Sequence, residues 1–253
     1  TTLNLPEEWI IHRVGEVCRS IVPGRNKPKE FSGDIPWLTI SDLDSFYLEE
    51  SKLGLAVTKD ELAKCGGKVV PPDSVVMSCV GQFGIVGIAK RELVINQQLH
   101  AFVCPDYLDP YFLAAALTLQ KPYMERIATQ TTINYMNKAA CESIPIPLPP
   151  LPEQRKVAEI LGTWDEVIAL VERRIEAARR RKKGLMQRLL TGRVRFPEFV
   201  HSQEMKDTHL GAYPEEWTIL QLSDVAEIQI SYVDKKCKPS EQRVRLCNYM
   251  DVL

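Results

Sequence analysis

Three features of the sequence predict an α+β fold. Short apolar runs separated by glycine and proline turns fill the first 150 residues, an Ala/Leu-rich helix lies among them, and a long amphipathic stretch follows a proline-rich segment. The runs Ser74–Val80 and Ile85–Ala89 have the length and apolar content of buried strands. Around their junction, Gly81-Gln82-Phe83-Gly84-Ile85-Val86-Gly87 has G-x-x-G-x-x-G spacing, which matches neither phosphate-binding glycine pattern and reads as a tight turn between strands. In Asp109–Leu119, Asp109 can cap, Pro110 suits the first helical turn and an Ala/Leu run follows, so a short helix is expected.

The segment Ile144–Pro152 alternates apolar residues with prolines, which fix φ and remove amide donors; it predicts a stiff, extended strap at a boundary. Beyond it Val157, Leu161, Trp164, Ile168, Val171, Ile175, Ala178, Lys182, Leu185 and Leu189 step by four and three in alternation. That is a heptad seam, interrupted at Lys182, which is placed to fix helix register as polar seam residues do. A helix over Glu153–Thr191 would be roughly 58 Å long, and Gly192 stands where a left-handed cap is expected. One amphipathic face of that length calls for a partner helix.

The composition suits a folded chain of one large domain or two of ordinary size: 253 residues, 45% hydrophobic and 26% charged. The net charge of -1 hides a basic shoulder, because Glu172–Arg188 holds eight Lys/Arg against Glu172 and Glu176. The local charge is about +6. Seven cysteines without a C-x-x-C pair, and no histidine at zinc-ligand spacing, predict neither a disulfide framework nor a metal site. No membrane span or signal peptide is legible, so the expected location is the cytoplasm.

A phrase recurs at an offset of 208 residues: Pro6-Glu7-Glu8-Trp9 followed by IIHRVGEV, and Pro214-Glu215-Glu216-Trp217 followed by TILQLSDV. With one residue inserted, Trp37–Leu43 also falls on Leu246–Val252. Shared identity, apolar pattern and order predict a duplication, with a second copy beginning near Gly211. Its 43 residues are too few to bury a stable core alone, so a longer chain is expected.

These segments together resemble the specificity (S) subunits of type I restriction-modification enzymes. Ile146–Val157, then Ile160, Leu161, Asp165, Ile168 and Leu189–Phe196, is similar to the family's central conserved region, and Pro6–Trp9, Gly33–Trp37 and the stretch from Val233–Lys236 to Leu246–Tyr249 resemble the starts of target recognition domains. The resemblance implies a target recognition domain over 1–150, a conserved long helix over 151–195 for spacing and subunit docking, a linker over 196–210 and a truncated second recognition domain over 211–253. Each domain would read half of a split sequence in double-stranded DNA. The chain would direct modification (methyltransferase) and restriction subunits, which bind S-adenosylmethionine and ATP, while holding no cofactor itself. The family's second long helix is absent here; the heptads themselves then predict an antiparallel homodimer through the long helix.

No catalytic set is found. Pro71-Pro72-Asp73 lacks the leading amide and the aromatic of an adenine methyltransferase motif, no carboxylates cluster for a metal, and His100 has no nucleophile or carboxylate beside it and reads as a buried or surface-bonded histidine. Gln82, Gln97, Gln98, Gln130 and Asn134 can pair with the adenine edge at N6 and N7, and Thr131 and Thr132 offer hydroxyls to phosphates. Taken singly, amides and threonines also populate ordinary loops; their gathering in glycine-bounded loops favours base contact. Arg25, Lys27 and Lys29, in the basic loop Gly24–Lys29, suit phosphate anchoring or plain solvation equally. The run Arg179–Lys183 points all around its helix axis and so cannot form one DNA-facing stripe. Two rival readings are a coiled-coil assembly scaffold and a stand-alone dimeric DNA-binding regulator. Salt-dependent specific DNA binding separates the first, and capture of a methyltransferase subunit the second.

Overall fold

Asp109 starts a helix as its position predicts: its Oδ1 accepts the N–H of Phe112 at 2.9 Å, and Pro110 occupies the first turn. The computed structural model describes residues 6, 8–24, 26–129 and 132–227. The chain divides into two compact units, 1–173 and 174–253, and the division falls within the long helix.

In the first unit β1 (Ile10–Arg13), α1 (Val14–Val17), β2 (Arg19–Ile21), β3 (Ile35–Leu38), β4 (Tyr47–Leu48) and β5 (Ala56–Val57) precede α2 (Lys59–Cys65). Then come β6 (Val75–Ser78), β7 (Val86–Ala89), β8 (Val94–Ile95), β9 (Leu99–Val103), α3 (Pro110–Leu119), α4 (Lys121–Ile127), α5 (Lys138–Glu142), β10 (Pro145–Leu148) and the first part of α6 (Leu151–Leu189). A five-stranded sheet has the order β2-β9-β6-β7-β4, antiparallel except where β4 runs parallel to β7. A second sheet has three strands in the order β5-β3-β8.

Both expected strand runs are present, and the two-residue period of a strand explains why they are apolar throughout. Val75 and Met77 of β6, Ile88 of β7 and Phe102 of β9 enter one core with Phe112, Leu113 and Leu117 of α3. Val76, Ala89, Leu99 and Ala101, on alternate positions, enter another with Ile21, Leu38 and Leu48. A third cluster joins Ile35, Trp37, Val57 and Val94 to Leu62 of α2. The glycine-bearing stretch is the β6–β7 turn, with Gly81 and Gly84 both at φ +77.

The proline strap is extended, as expected, and is a strand: β10 pairs antiparallel with β1, Ile10 facing Leu148 and Arg13 facing Pro145. Pro145 and Pro147 are two apart, so their missing N–H groups fall on one edge of the strand and leave the ladder intact. Ile146 between them is fully buried. Helix α6 follows at once, fastened by Gln154, which is 1% exposed. Its Oε1 accepts the Asp109 N–H at 2.9 Å, and its Nε2 donates to the carbonyls of Pro149 at 2.8 Å and Tyr107 at 3.2 Å. Trp9 Nε1 donates to Glu153 at 3.2 Å, and the Tyr111 hydroxyl donates to Asp165 farther along the helix.

In the second unit α6 ends at Leu189, two residues before the predicted Thr191, and Gly192 has the left-handed φ expected of it, +70, with its N–H donating to Leu189 O at 3.2 Å. A Cβ at Gly192 would lie 2.3 Å from Pro214 Cγ. A hairpin, β11 (Met205–Thr208) with β12 (Gly211–Pro214), precedes the short helix α7 (Leu222–Val225). Glu216 accepts the Arg195 guanidinium at 2.7 Å and the His201 N–H at 2.8 Å; the guanidinium above all, with the backbone N–H groups of Ser202 and His201, holds this carboxyl below its ordinary range.

The repeated phrase has repeated local geometry. Trp9 N–H donates to Pro6 O and Trp217 N–H to Pro214 O, both at 3.0 Å. Arg13 N–H donates to Glu16 at 2.9 Å, and Gln221 N–H, at the corresponding position of the second phrase, to Asp224 at 3.0 Å. The four-residue helices α1 and α7 that follow close with Cys18 N–H to Val14 O and Ala226 N–H to Leu222 O. The expected matches over Val233–Lys236 and Leu246–Val252 lie outside the described residues.

Candidate nucleic-acid interface

Gln82, Gln97, Gln98, Thr132 and Asn134 lie on three segments that backbone hydrogen bonds tie together at one end of the five-stranded sheet. Cys79, just past β6, donates its N–H to Gln98 O at 2.8 Å and accepts the Met136 N–H at 2.9 Å. Gly81 N–H then donates to Asn134 O at 2.8 Å. Gln82, Gln97, Thr132 and Asn134 are exposed along this strip and Gln98 is half-buried. The carbonyls of Gln98 and Asn134 are held by these cross-strand bonds, which fix the placement of the two loops. Exposed Ile133 and Tyr135 flank Asn134.

The basic loop before β3 joins the strip through Gly24, whose carbonyl accepts Gln97 Nε2 at 3.4 Å. A Cβ at Gly24 would lie 2.8 Å from the carbonyl oxygens of Cys65 and Gly66, so the loop passes close over the end of α2 only because this residue is glycine. At its other end the Lys29 N–H donates to Glu61 Oε1 at 2.6 Å. That bond, ahead of the Glu30 N–H and the Lys64 and Lys29 charges, holds the Glu61 carboxyl below its ordinary range. Lys27 is exposed with its ammonium over Trp37 at 5.4 Å and Phe31 at 5.8 Å. Arg25, Gln130 and Thr131 lie outside the described residues.

Lys27, Gln97 and Gln98 therefore share one open cleft of about 470 Å³ with Asn26, Trp37, Thr39 and Asn96. Gln82 and Asn134 share a second depression with Lys121 and Glu125. Lys29 stands apart from both, beside α2. The sequence reading did not single out Asn96, Trp37 or Lys121, which line the same two depressions. Asn96 had a readable signal, since Asn favours Asx turns in which its side chain accepts the backbone N–H two residues on, as it does here from Gln98. His100 is buried against Phe102 with its ring centroid 4.7 Å away, and burial pushes its pKa down to about 4. It is a neutral core ring. Among the described residues no group of three or more His, Cys, Asp or Glu is placed to hold a metal ion, and no helix is long and apolar enough to cross a membrane.

Of the seam residues, Val157 is half-buried against the first core. Leu161, Trp164, Ile168, Val171 and Ile175 are 40–64% exposed along α6. In the second unit Leu185 and Leu189 border a shallow apolar depression with Ala178, Lys182 and Met186. The side chains of Arg179–Lys183 are all exposed.

The chain is 27% identical over 234 residues to the type I restriction enzyme MjaVIII specificity subunit of Methanocaldococcus jannaschii, a match covering 90% of this chain and 51% of that protein. It is 27% identical over 203 residues to the EcoKI specificity subunit of Escherichia coli, covering 76% and 43%. A solved structure concerned with complex assembly and conformational transition of the type I R-M system superimposes with a TM-score of 0.59 at 25% identity, covering 75% of this chain and 46% of that one. The HsdS subunit from Thermoanaerobacter tengcongensis does so with a TM-score of 0.52 at 23% identity, covering 68% and 41%, and shares the fold. The chain spans about half the length of the curated relatives it matches. A family model, the type I restriction modification DNA specificity domain, matches residues 6–180. Over more than two thirds of its length, then, this chain carries the sequence and the mixed α/β fold with a long helix that define one family, and it belongs to the type I restriction modification DNA specificity domain family.

Proposed function

We propose that this chain is a DNA-recognition component that reads half of a bipartite target in double-stranded DNA and directs type I modification and restriction subunits to it, without catalysing a reaction itself. The observation that carries this reading is the strip of exposed amides, Gln82, Gln97 and Asn134 with half-buried Gln98, on hydrogen-bonded backbone beside the basic loop, in a chain of the specificity-domain family. Amides can pair with base edges in the major groove, and Lys27 and Lys29 suit the phosphates that position a reader. In this reading residues 1–150 are the recognition domain, 151–195 the spacer and docking helix, 196–210 a linker, and 211–253 the start of a second recognition domain. The matching turns at Pro6–Trp9 and Pro214–Trp217 support the last assignment.

The exposed seam favours one addition. Trp164, Ile168, Val171 and Ile175 present an apolar face that water solvates poorly, and a second copy running antiparallel would cover it. The test is methylation mapping by single-molecule sequencing of plasmid pools exposed to this chain with its neighbouring methyltransferase subunit, in the cytoplasm where both are expected. A palindromic split motif supports two paired copies, each reading with the first domain. No motif from a folded chain overturns the reading.

A further inference from the structure

We propose that Asn96 is a positioning residue that sets the polarity of the Gln98 amide, so that the cleft beside β9 presents a hydrogen-bond donor to an acceptor atom on the edge of a DNA base. This rests on the reading of the chain as a DNA-recognition component and adds to it a residue and a chemical complement.

The polarity follows from a chain of forced assignments. A backbone N–H can only donate, so the Asn96 atom 3.0 Å from Gln98 N must be the acceptor, Oδ1. Nδ2 is then the Asn96 atom that faces the Gln98 side chain, and being a donor it requires the Gln98 oxygen; Nδ2 to Oε1 is 3.0 Å. Gln98 Nε2 is the end of the amide left for an outside partner. An isolated glutamine turns its amide either way at little cost, but here one orientation satisfies every bond and the other opposes two NH₂ groups.

The buttress is itself tied into the fold by its backbone. Asn96 N–H donates to Leu38 O at 2.9 Å, its carbonyl accepts the Leu99 N–H at 3.1 Å, and Gln98 O accepts the Cys79 N–H at 2.8 Å. Asn96, Gln98, Lys27 and Trp37 line the same open cleft, so a base edge that enters it meets a pre-oriented donor. Purine N7, guanine O6 and thymine O4 are the major-groove acceptors that answer it.

An isosteric substitution tests this without touching the reading side chain. In Asn96→Asp both outer atoms accept, so the second carboxylate oxygen draws in Gln98 Nε2 and turns Oε1 outward, converting the presented donor into an acceptor. The full chain and its N96D, N96A and Q98A variants are each used to enrich binding sites from a randomised duplex pool, with folding checked by circular dichroism. The expected result is that Q98A relaxes one position of the enriched half-site, that N96A relaxes the same position, and that N96D shifts preference there by roughly tenfold toward a base offering an amino donor. Unchanged preference in N96D or Q98A, a change at some other position, or a uniform loss of enrichment at all positions overturns the proposal. If the folded wild-type chain enriches no sequence, the DNA-recognition reading itself falls and takes the proposal with it.

Discussion

Replacing Gln154 by leucine removes the clasp between the start of α6 and the body of the first unit while keeping nearly the same volume. Three bonds are lost, and their partners differ in how well water can replace the amide. Pro149 is buried and Asp109 half-buried, so the Pro149 carbonyl and Asp109 N–H are left largely unsatisfied, whereas Tyr107 is exposed and its carbonyl can be hydrated. At about 1–3 kcal/mol for each buried orphan, offset by the apolar gain of leucine, the net loss is about 3 kcal/mol. In a unit of this size that lowers Tm by roughly 6–12 °C. Gln154→Glu separates hydrogen bonding from packing. Its carboxylate still accepts the Asp109 N–H but faces two carbonyl oxygens where a donor stood, so its folded-state pKa must rise above the unfolded value of about 4.3. Such a group binds its proton more tightly when folded, so relative to the Leu variant the Glu variant is most stable below about pH 4 and weakens as pH rises. Urea unfolding followed by tryptophan fluorescence at pH 4 and pH 7 measures both variants. A loss below about 1 kcal/mol in Gln154→Leu, or a Glu variant whose pH dependence matches that of the Leu variant, refutes the reasoning.

Three further outcomes are expected. His100 has its pKa pushed down to about 4 by burial, from 6.5, so wild-type stability is full above pH 6.5 and falls by about 3 kcal/mol as pH drops through that window; in unfolding measured against pH, His100→Leu should lack this slope. Gly192→Ala meets both a positive φ and Pro214 Cγ at 2.3 Å and should cost about 2–4 kcal/mol in chemical denaturation of the second unit, while Gly184→Ala, with nothing within 4 Å of the new Cβ in a helix interior, should stabilise by about 0.5–1 kcal/mol. In DNA binding measured across a salt series, Lys27→Ala should weaken binding on all sequences alike and reduce the salt slope by about 1.

The local signals were legible because each depends on a few neighbouring residues. The Asp109 cap, the strand character of Val75–Ser78 and Val86–Ala89, the long helix and the left-handed Gly192 all follow from residue type and period. The pairing of β10 with β1 was not legible. Prolines advertise an extended chain without naming its partner, and the partner here is Ile10–Arg13, at the far end of the first unit's sequence. The same holds for the site. That Gln98, Cys79 and Asn134 adjoin depends on cross-strand bonds between segments distant in sequence. Amide-rich loops could be identified one by one, but their assembly into one strip, and the role of Asn96 within it, required the fold.

The fastening of α6 bears on where this chain can be cut and joined to another. Glu153, Gln154 and Asp165 belong by sequence to the long helix, yet they bond Trp9, Asp109, Tyr107 and Tyr111 of the body that precedes it. A chimera joined in the proline strap would put a foreign helix start against those groups and strand their hydrogen bonds. Joined beyond Asp165, the body would carry its own socket with it, and all of these hydrogen bonds would survive the exchange.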